Sequence, residues 1–329
     1  MSAAFFPYIS VIIPVLNEEK HIRGCVDSLA EQTYSANKMQ IIFVDGMSSD
    51  KTRDIINEYI STTELDIIIL ENQKKIAPCA MNIGIAASNG EYIIRIDAHS
   101  EYENDYIEKC VSTISTIDAD NVGGLAMTKG YGNMGEAFAQ VLSSKFGVGN
   151  SGFRTRAKSD YVDTVPFGTY KKETFEKYGL YNEQLVRNQD YELNFRIRKN
   201  GGKIYLNSDI KLYYICKNDL KGICKQSFSN GLWNVITMKL CPGSMGFRHF
   251  IPFIFFVSLI IMPIFSIFIP YFIGLFIGEI VLYLLCNIVF SIDNAEPRYR
   301  NRFFIKFYLF FIFHISYGFG SFVGLFKKI

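Results

Sequence analysis

Apolar and polar positions alternate in blocks along the first half of the chain. Residues 9 to 16, ISVIIPVL, form a short continuous run rich in Ile and Val, which is the pattern of a buried strand. The run ends at Asn17 and Glu18. After it Ile22, Cys25, Val26 and Leu29 recur at helical spacing, with Asn17 as the expected N-cap. The unit then repeats: MQIIFVD (39 to 45) reads as a strand, GMSSDKT as a polar turn, and 52 to 59 as a helix with Ile55, Ile56 and Tyr59 on one face. A third strand, LDIIIL (65 to 70), precedes a helix over 77 to 87 that carries Pro78 in its N-terminal half. A turn at Gly90 opens a fourth apolar run, Tyr92, Ile93, Ile94 and Ile96, which passes straight into Asp97-Ala98-His99. Strands alternating with helices of this length predict an α/β fold with a parallel sheet of the doubly wound type.

The pattern changes further along. Tyr102 and Tyr106 flank a helix running to about Ile117, and NVGGLAM (121 to 127) reads as another strand. From Tyr131 to Asp160 an amphipathic stretch, EAFAQVLSSKFG, leads into Gly147, Gly149, Asn150 and Gly152. This predicts a helix and then a mobile loop, either closing over a bound ligand or lying on the surface. YVDTVPFGTY (161 to 170) reads as a strand and turn in which Gly168 permits close backbone approach. Next comes a helix preceded by Asp190, with Leu193, Phe195 and Ile197 apolar and Gly201 and Gly202 stopping it. Strands over 203 to 206 and 210 to 215 follow.

The segment 220 to 240 sets Lys and Gln against Ile223, Phe228, Leu232, Trp233 and Ile236. It is either a helix at a membrane interface or a core helix. From Phe250 to Ile292 the only charged residue is Glu279, and Pro270 divides this stretch into spans at 251 to 269 and 271 to 292, with a third at 303 to 326. Glu279 must face a protein interior or a polar cavity, where it is functional or simply paired. The boundaries are therefore 1–218 for the α/β part, 219–248 for the interface region and 249–329 for the membrane part. Arg298, Arg300 and Arg302 in the loop before the third span place that loop and the α/β part in the cytoplasm, at the plasma membrane. Lys327 and Lys328 would then fall outside unless the third segment is re-entrant.

Composition narrows the function classes. At 329 residues the chain exceeds one typical domain, and its net charge of +2 comes without a basic stripe interleaved with aromatics, so nucleic acid is set aside as a partner. Seven cysteines without CxxC spacing fit reduced, buried thiols rather than disulfides or a zinc site. The start, MSAAFFPYIS, lacks the positive region and apolar length of a signal peptide.

Candidate chemistry gathers at strand ends. Asp45 and Asp97 end strands and Glu18 follows one, so they can converge on the crevice outside the carboxyl ends of the sheet. Such an electronegative crevice could bind a divalent cation that in turn holds phosphate oxygens. No GxxxxGK[ST] loop is present to do so with backbone amides. Asp97 and His99, two residues apart, lie on one side of an extended chain as a hard oxygen ligand and an imidazole; the competing reading is a helix-capping Asp and a surface His. Asp190 at the first turn of a helix is stabilised as an anion, the form a general base requires; the competing reading is a simple N-cap.

The set ISVIIPVLNEE, FVDGMSSDKT and NGEYIIRIDAHS resembles the nucleotide-sugar-binding half of family 2 inverting glycosyltransferases. Within that family it is most similar to the exopolysaccharide enzymes of the succinoglycan-biosynthesis type. The resemblance covers residues 9 to about 240 and implies a GT-A fold. It also implies that Pro14, Asn17 and Glu18 line the nucleotide pocket, that Asp45 reads the uracil or ribose, and that Asp97 contacts the ribose and a metal ion, Mg2+ or Mn2+. His99 stands where the second acid of the usual D-x-D is expected, and Gly46 where a second Asp commonly follows Asp45. By the same resemblance Asp190 is the base that deprotonates the acceptor hydroxyl. Gln189 occupies a position where an acid often stands, and Gly168, Gln189 and Trp233 fall on the acceptor side. Gln226 and Trp233 are similar to a Gln-x-x-Arg-Trp motif of processive relatives, with different spacing and no preceding Arg, so its role is not carried over.

The implied function is transfer from a nucleoside-diphosphate sugar, expected to be UDP-linked, to a lipid-linked saccharide in exopolysaccharide or cell-surface glycan assembly. A processive synthase, a polyprenyl-phosphate glycosyltransferase, and an inactive nucleotide-sugar-binding scaffold are the alternatives. The sugar, linkage and oligomeric state are not legible.

Overall fold

The computed structural model describes residues 7–155, 158–292 and 302–328. The chain divides into two compact units, the first comprising the described residues up to Met127 with those from 158 to Tyr214, the second Thr128–Thr155 and the described residues from Ile215 on.

In chain order the strands are β1 (Ile9–Val15), β2 (Met39–Asp45), β3 (Asp66–Glu71), β4 (Tyr92–Arg95), β5 (Ser100–Tyr102), β6 (Asn121–Lys129), β7 (Asp160–Tyr161), β8 (Thr169–Lys171) and β9 (Ile204–Ile215). They form a nine-stranded sheet in the order β3-β2-β1-β4-β8-β6-β9-β5, with β7 beside β9. The first half is parallel: β1 pairs with β2 from Ile9 opposite Met39 to Val15 opposite Asp45, and β3 and β4 add in the same direction. Helices α1 (Ile22–Ala30), α2 (Thr52–Thr62) and α3 (Ala77–Ala87) connect these strands. Because helices cover both faces, β1 and β2 read as unbroken apolar runs: Ile9, Val11, Ile12, Ile13, Ile41, Ile42, Phe43 and Val44 are fully buried.

The second half of the sheet is antiparallel, so the sheet is mixed, with its parallel part in β1 to β4. β4 stands at the change of direction, parallel to β1 on one side and antiparallel to β8 on the other. Its carboxyl end is therefore not enclosed by a second parallel neighbour. Strand β5 and the joining of 203–206 and 210–215 into one continuous β9 are differences from the sequence reading. Helices α4 (Tyr106–Thr116), α8 (Lys172–Tyr178) and α9 (Gln189–Lys199) complete this unit.

The second unit holds α5 (Gly132–Ser143), α6 (Lys145–Val148), α7 (Gly152–Thr155), α10 (Leu220–Leu240), α11 (Ile251–Ser266), α12 (Tyr271–Ile292) and α13 (Phe303–Phe326). The glycine-rich stretch expected as a mobile loop is helical over 145–148 and 152–155. Its Phe146 ring packs against Tyr283, Phe290, Phe310 and His314, an aromatic anchor that the polar composition around it conceals. Helices α10 and α13 meet through small residues: a Cβ on Gly231 would lie 1.9 Å from the Tyr317 carbonyl oxygen, and one on Gly320 2.0 Å from that of Phe228. Close backbone approach of this kind is how helices associate where no water drives them together. The buried face of α10 accordingly carries Ser227, Gly231 and Asn234, whereas Phe228, Leu232 and Trp233 are only partly covered.

Among the described residues three helices, Phe247–Ser266, Tyr271–Ile292 and Phe303–Phe326, are long and apolar enough to cross a membrane. The first stops at Ser266, short of the expected 269, while the other two have the expected bounds. Glu279 accepts a hydrogen bond from the Ser258 hydroxyl at 2.6 Å, one inter-helix partner for the charge that the apolar run carries. Arg302 pairs with Glu136. Arg298 and Arg300, used above for topology, lie outside the described residues, as do residues 1–6 of the N-terminal stretch.

Candidate active site

Two loops at the carboxyl ends of β1 and β2 are joined residue by residue. After β1 the chain does not enter a helix at Glu18: Asn17 adopts a left-handed conformation (φ 56°), and α1 begins at Ile22 with His21 at the N-cap. The expected capping role of Asn17 is thereby corrected. Asn tolerates this backbone region better than most residues, and its side chain serves the neighbouring loop. The Asn17 Oδ1 accepts from the Ser49 amide at 2.9 Å, and the Asn17 amide donates to Ser48 Oγ at 2.9 Å. The amides of Glu18 and Glu19 donate to Thr52 Oγ1 at 2.8 Å and Asp50 Oδ2 at 3.1 Å.

Asp45 lies beneath this seam with its side chain fully buried. It accepts from the Ser48 hydroxyl at 2.5 Å and the Ser48 amide at 3.2 Å, and Arg53 Nε stands 3.8 Å away. Its carboxylate thus holds the loop after β2 at Ser48. Pro14, half-buried, sits opposite Val44 on the same pair of strands.

The end of β4 carries the second group of residues. Arg95 is buried, and its Nη1 lies 2.8 Å from both carboxylate oxygens of Asp190, while Nη2 lies 3.3 Å from Asp97 Oδ1. One guanidinium therefore bridges the acid expected on the donor side and the acid expected as base. The Arg95 amide donates to the Gly168 carbonyl at 3.1 Å, and the Phe167 ring, whose residue has φ 49°, stands 5.5 Å from the guanidinium carbon. The Asp97 amide donates to the Tyr102 hydroxyl at 2.9 Å, so β5 fixes the turn that presents Asp97.

The close approach anticipated at Gly168 is to Asn121: a Cβ there would stand 2.2 Å from Asn121 Oδ1. Asn121 Nδ2 donates to Asn194 Oδ1 at 2.7 Å, and Asn194 Nδ2 to Thr164 Oγ1 at 2.9 Å, a buried chain that ties α9 to the sheet. Asn188, at φ 63°, takes the N-cap position, Gln189 is buried, and Asp190 falls in the first turn. The Asp190 side chain is spent on Arg95, which removes the simple N-cap reading. Burial raises the Asp190 carboxyl above the ordinary carboxylate range; Arg95 opposes the rise and Asp97 adds to it. Burial likewise works against the charge of Arg95, but Asp190 and then Asp97 hold the guanidinium protonated.

His99 is 44% exposed and its Nδ1 lies 3.2 Å from Glu18 Oε1, with the His21 ring edge-on at 6.5 Å. Below them burial, followed by the charges of Asp97 and Glu18, pushes the Cys25 thiol up to about 12, leaving it a neutral core group. Among the described residues no three His, Cys, Asp or Glu side chains are grouped to hold a metal. A carboxylate at Asp97 and an imidazole at His99 are a mixed oxygen and nitrogen donor pair, which fits Mn2+ better than Mg2+ and would leave the remaining positions to diphosphate and water. Trp233 belongs to α10 in the second unit.

Sequence reasoning gave no role to Arg95, Ser48, Thr52 or Tyr181, whose side chain hydrogen-bonds Asp190. For Arg95 a signal existed: an arginine inside an otherwise apolar strand run has to be paired to be buried there.

The comparisons with known proteins bear on the family and the fold. The model of glycosyl transferase family 2 matches residues 10–179. A dolichyl N-acetyl-α-D-glucosaminyl phosphate 3-β-D-2,3-diacetamido-2,3-dideoxy-β-D-glucuronosyltransferase from Methanococcus voltae is 30% identical across 97% of this chain and 98% of its own. The succinoglycan biosynthesis protein ExoA of Rhizobium meliloti is 30% identical over 74% of this chain and 73% of its own. Among solved structures, a Pyrobaculum calidifontis mannosyltransferase in complex with GDP-mannose and Mn2+ superposes with a TM-score of 0.66 at 16% identity, covering 99% of this chain and 89% of that one. At that identity the likeness speaks for the fold, which is GT-A followed by apolar helices. With the family model matching more than half of its length, the chain belongs to glycosyl transferase family 2.

Proposed function

We propose that the protein is a membrane-anchored, inverting glycosyltransferase that moves a sugar from a nucleoside-diphosphate carrier, UDP in our reading, to a lipid-linked saccharide during assembly of a cell-surface or exported glycan. Its catalytic unit faces the cytoplasm, at the plasma membrane. The observation that carries the reading is the bridge from Asp190 through Arg95 to Asp97 at the exposed end of β4. A base for the acceptor and an acid for the donor are thereby held by one rigid group, the arrangement that a single displacement at an anomeric carbon needs. The Methanococcus voltae relative, alike over nearly its full length, is named for a phosphodolichol-linked acceptor, which supports a lipid-borne one here.

In this mechanism Asp190 takes the proton of the attacking hydroxyl as its oxygen bonds to the anomeric carbon and the diphosphate departs on the opposite face. Pro14, Asn17 and Glu18, on the joined β1 and β2 loops, line the nucleotide pocket, and buried Asp45 keeps those loops in shape. Gly168 and Gln189 hold the acceptor side through the Asn121 and α9 contacts, and Trp233 meets the acceptor lipid. Asp97 with His99 would hold Mg2+ or Mn2+, which supplies neutralisation of the leaving diphosphate. The test is UDP release by the full-length protein in detergent from UDP-glucose, UDP-GlcNAc and UDP-glucuronate, with and without dolichyl-phosphate-linked N-acetylglucosamine. Acceptor-stimulated release from one donor is expected; no release from any, alongside ordinary UDP binding, points to a nucleotide-binding scaffold instead.

A further inference from the structure

In the reaction proposed above Arg95 is the bridge between two acids, and its own surroundings say what that bridge does. Its side chain is 7% exposed. It reaches both oxygens of Asp190 from a single nitrogen and Asp97 from another. Its backbone is pinned to Gly168 on β8's approach, and its guanidinium is covered by the ring of Phe167, a non-glycine residue held at φ 49°. A buried cation between two carboxylates is costly to desolvate, and removing it leaves both acids uncompensated. Among the described residues no acceptor reaches Arg95 Nε, so even its hydrogen bonding is incomplete in favour of the two acids.

We propose that Arg95 is the positioning residue for the base: it fixes the plane of the Asp190 carboxylate and keeps it in register with Asp97, so that donor and acceptor ends of the reaction are aligned by one side chain. The inference rests on the reading of Asp190 as the base.

The groups facing Asp190 give the reason. They are Arg95 on β4, Asp97 just beyond it, Tyr181 ahead of α9, and Tyr170 on β8, whose hydroxyl is 3.2 Å from that of Tyr181. Only one of the four is a cation. Without Arg95, Asp190 would sit buried beside a second carboxylate with only the hydrogen bond to Tyr181 favouring its anion, and a protonated acid accepts no proton from an acceptor hydroxyl. With Arg95 in place the carboxylate is ionised and aimed. Arg95 acts through Asp190 and does not itself exchange a proton.

The experiment compares full-length wild type, R95A, R95K and D190N in detergent, using the UDP-sugar of the panel above that is turned over with dolichyl-phosphate-linked N-acetylglucosamine. UDP binding, measured by calorimetry, reports whether each variant is folded. R95A is expected to lose kcat by about 10²-fold, the lower part of the range a placed base contributes, with donor KM little changed. Millimolar guanidinium, entering the space the side chain leaves, restores a measurable part of the loss in R95A and nothing in D190N. R95K, which keeps a charge but not the planar fork, falls between and serves as the informative variant if R95A does not bind UDP. Wild-type kcat in R95A or R95K overturns the inference, as does a loss confined to KM, or an R95A that binds UDP and gains nothing from guanidinium. The two readings separate cleanly: an active D190N removes the base assignment itself, whereas a dead D190N beside a fully active R95A removes only the role of Arg95.

Discussion

At the residue scale the site rests on how one carboxylate is kept useful. Replacing Asp190 by Asn preserves its shape and removes its basicity, so transfer should fall by about 10²- to 10⁴-fold while UDP binding, which involves other residues, is retained. Transfer by the Asn variant at the wild-type rate would sink the base assignment. The sign of the pH dependence follows from the environment. Burial lifts the Asp190 carboxyl above its ordinary range, and the group works only when ionised. Activity should therefore be full above the folded-state pKa and decline as pH falls through it, with the acid limb of kcat lying above the value of about 3.9 for an unperturbed Asp. A limb at or below that value would mean another group controls the rate. The sequence identified Asp190, Asp97 and His99 as residues to watch from strand ends and motif resemblance alone. It did not reveal that Arg95 joins two of them, because a contact spanning 95 positions in the chain leaves no periodic trace.

At the element scale, what the sequence made legible is what local pattern determines. The buried parallel strands appear where unbroken Ile and Val runs predict them, since both faces are covered. The misplaced features depend on partners distant in sequence. Asn17 looks like a helix cap but is held in a left-handed turn by Ser48 and Ser49 from the next loop. Gly147, Gly149 and Gly152 suggested mobility, and the aromatic cage around Phe146, drawn from residues 283 to 314, was not readable beside them. Gly168 offers a test of the element that carries the base. An Ala side chain there would meet Asn121 Oδ1 at 2.2 Å and Cγ at 2.8 Å, displacing the amide that bonds to Asn194 on α9. Gly168→Ala should cost about 1–3 kcal/mol of stability, as overpacking does, lowering the melting temperature and kcat together. Unchanged thermal stability would show that Asn121 has room to turn away. In the second unit Gly231→Leu drives a side chain into the Tyr317 carbonyl, which is backbone and cannot swing aside, so it should separate α10 from α13. Loss of protection from limited proteolysis near α10 reads that out, and an undisturbed digestion pattern would argue against the close packing.

At the scale of the whole molecule, the proposed chemistry and the proposed anchorage make separate demands. Asp97 and His99 offer one carboxylate and one imidazole, too few to retain a cation without substrate, so the apoprotein should bind Mn2+ only weakly and more tightly once UDP is added. Excess EDTA should then abolish donor turnover, and readdition of Mn2+ or Mg2+ should restore it. Full turnover in chelator would take the metal out of the scheme and leave neutralisation of the diphosphate to the protein's own cations. The anchorage bears on what product is made. A processive synthase must house a growing polymer within its membrane part, and three helices of membrane-crossing length among the described residues provide little material for an enclosed channel, the more so because α13 already has half of its apolar window buried against its neighbours. A single addition per encounter is the expected result: with a lipid-linked monosaccharide acceptor and donor in large excess, the product should be longer by one sugar and should stay there over many turnovers. A ladder of products from the same incubation would show that the acceptor end is passed on and re-extended, and would require either a second copy of the chain or a further protein to complete the path.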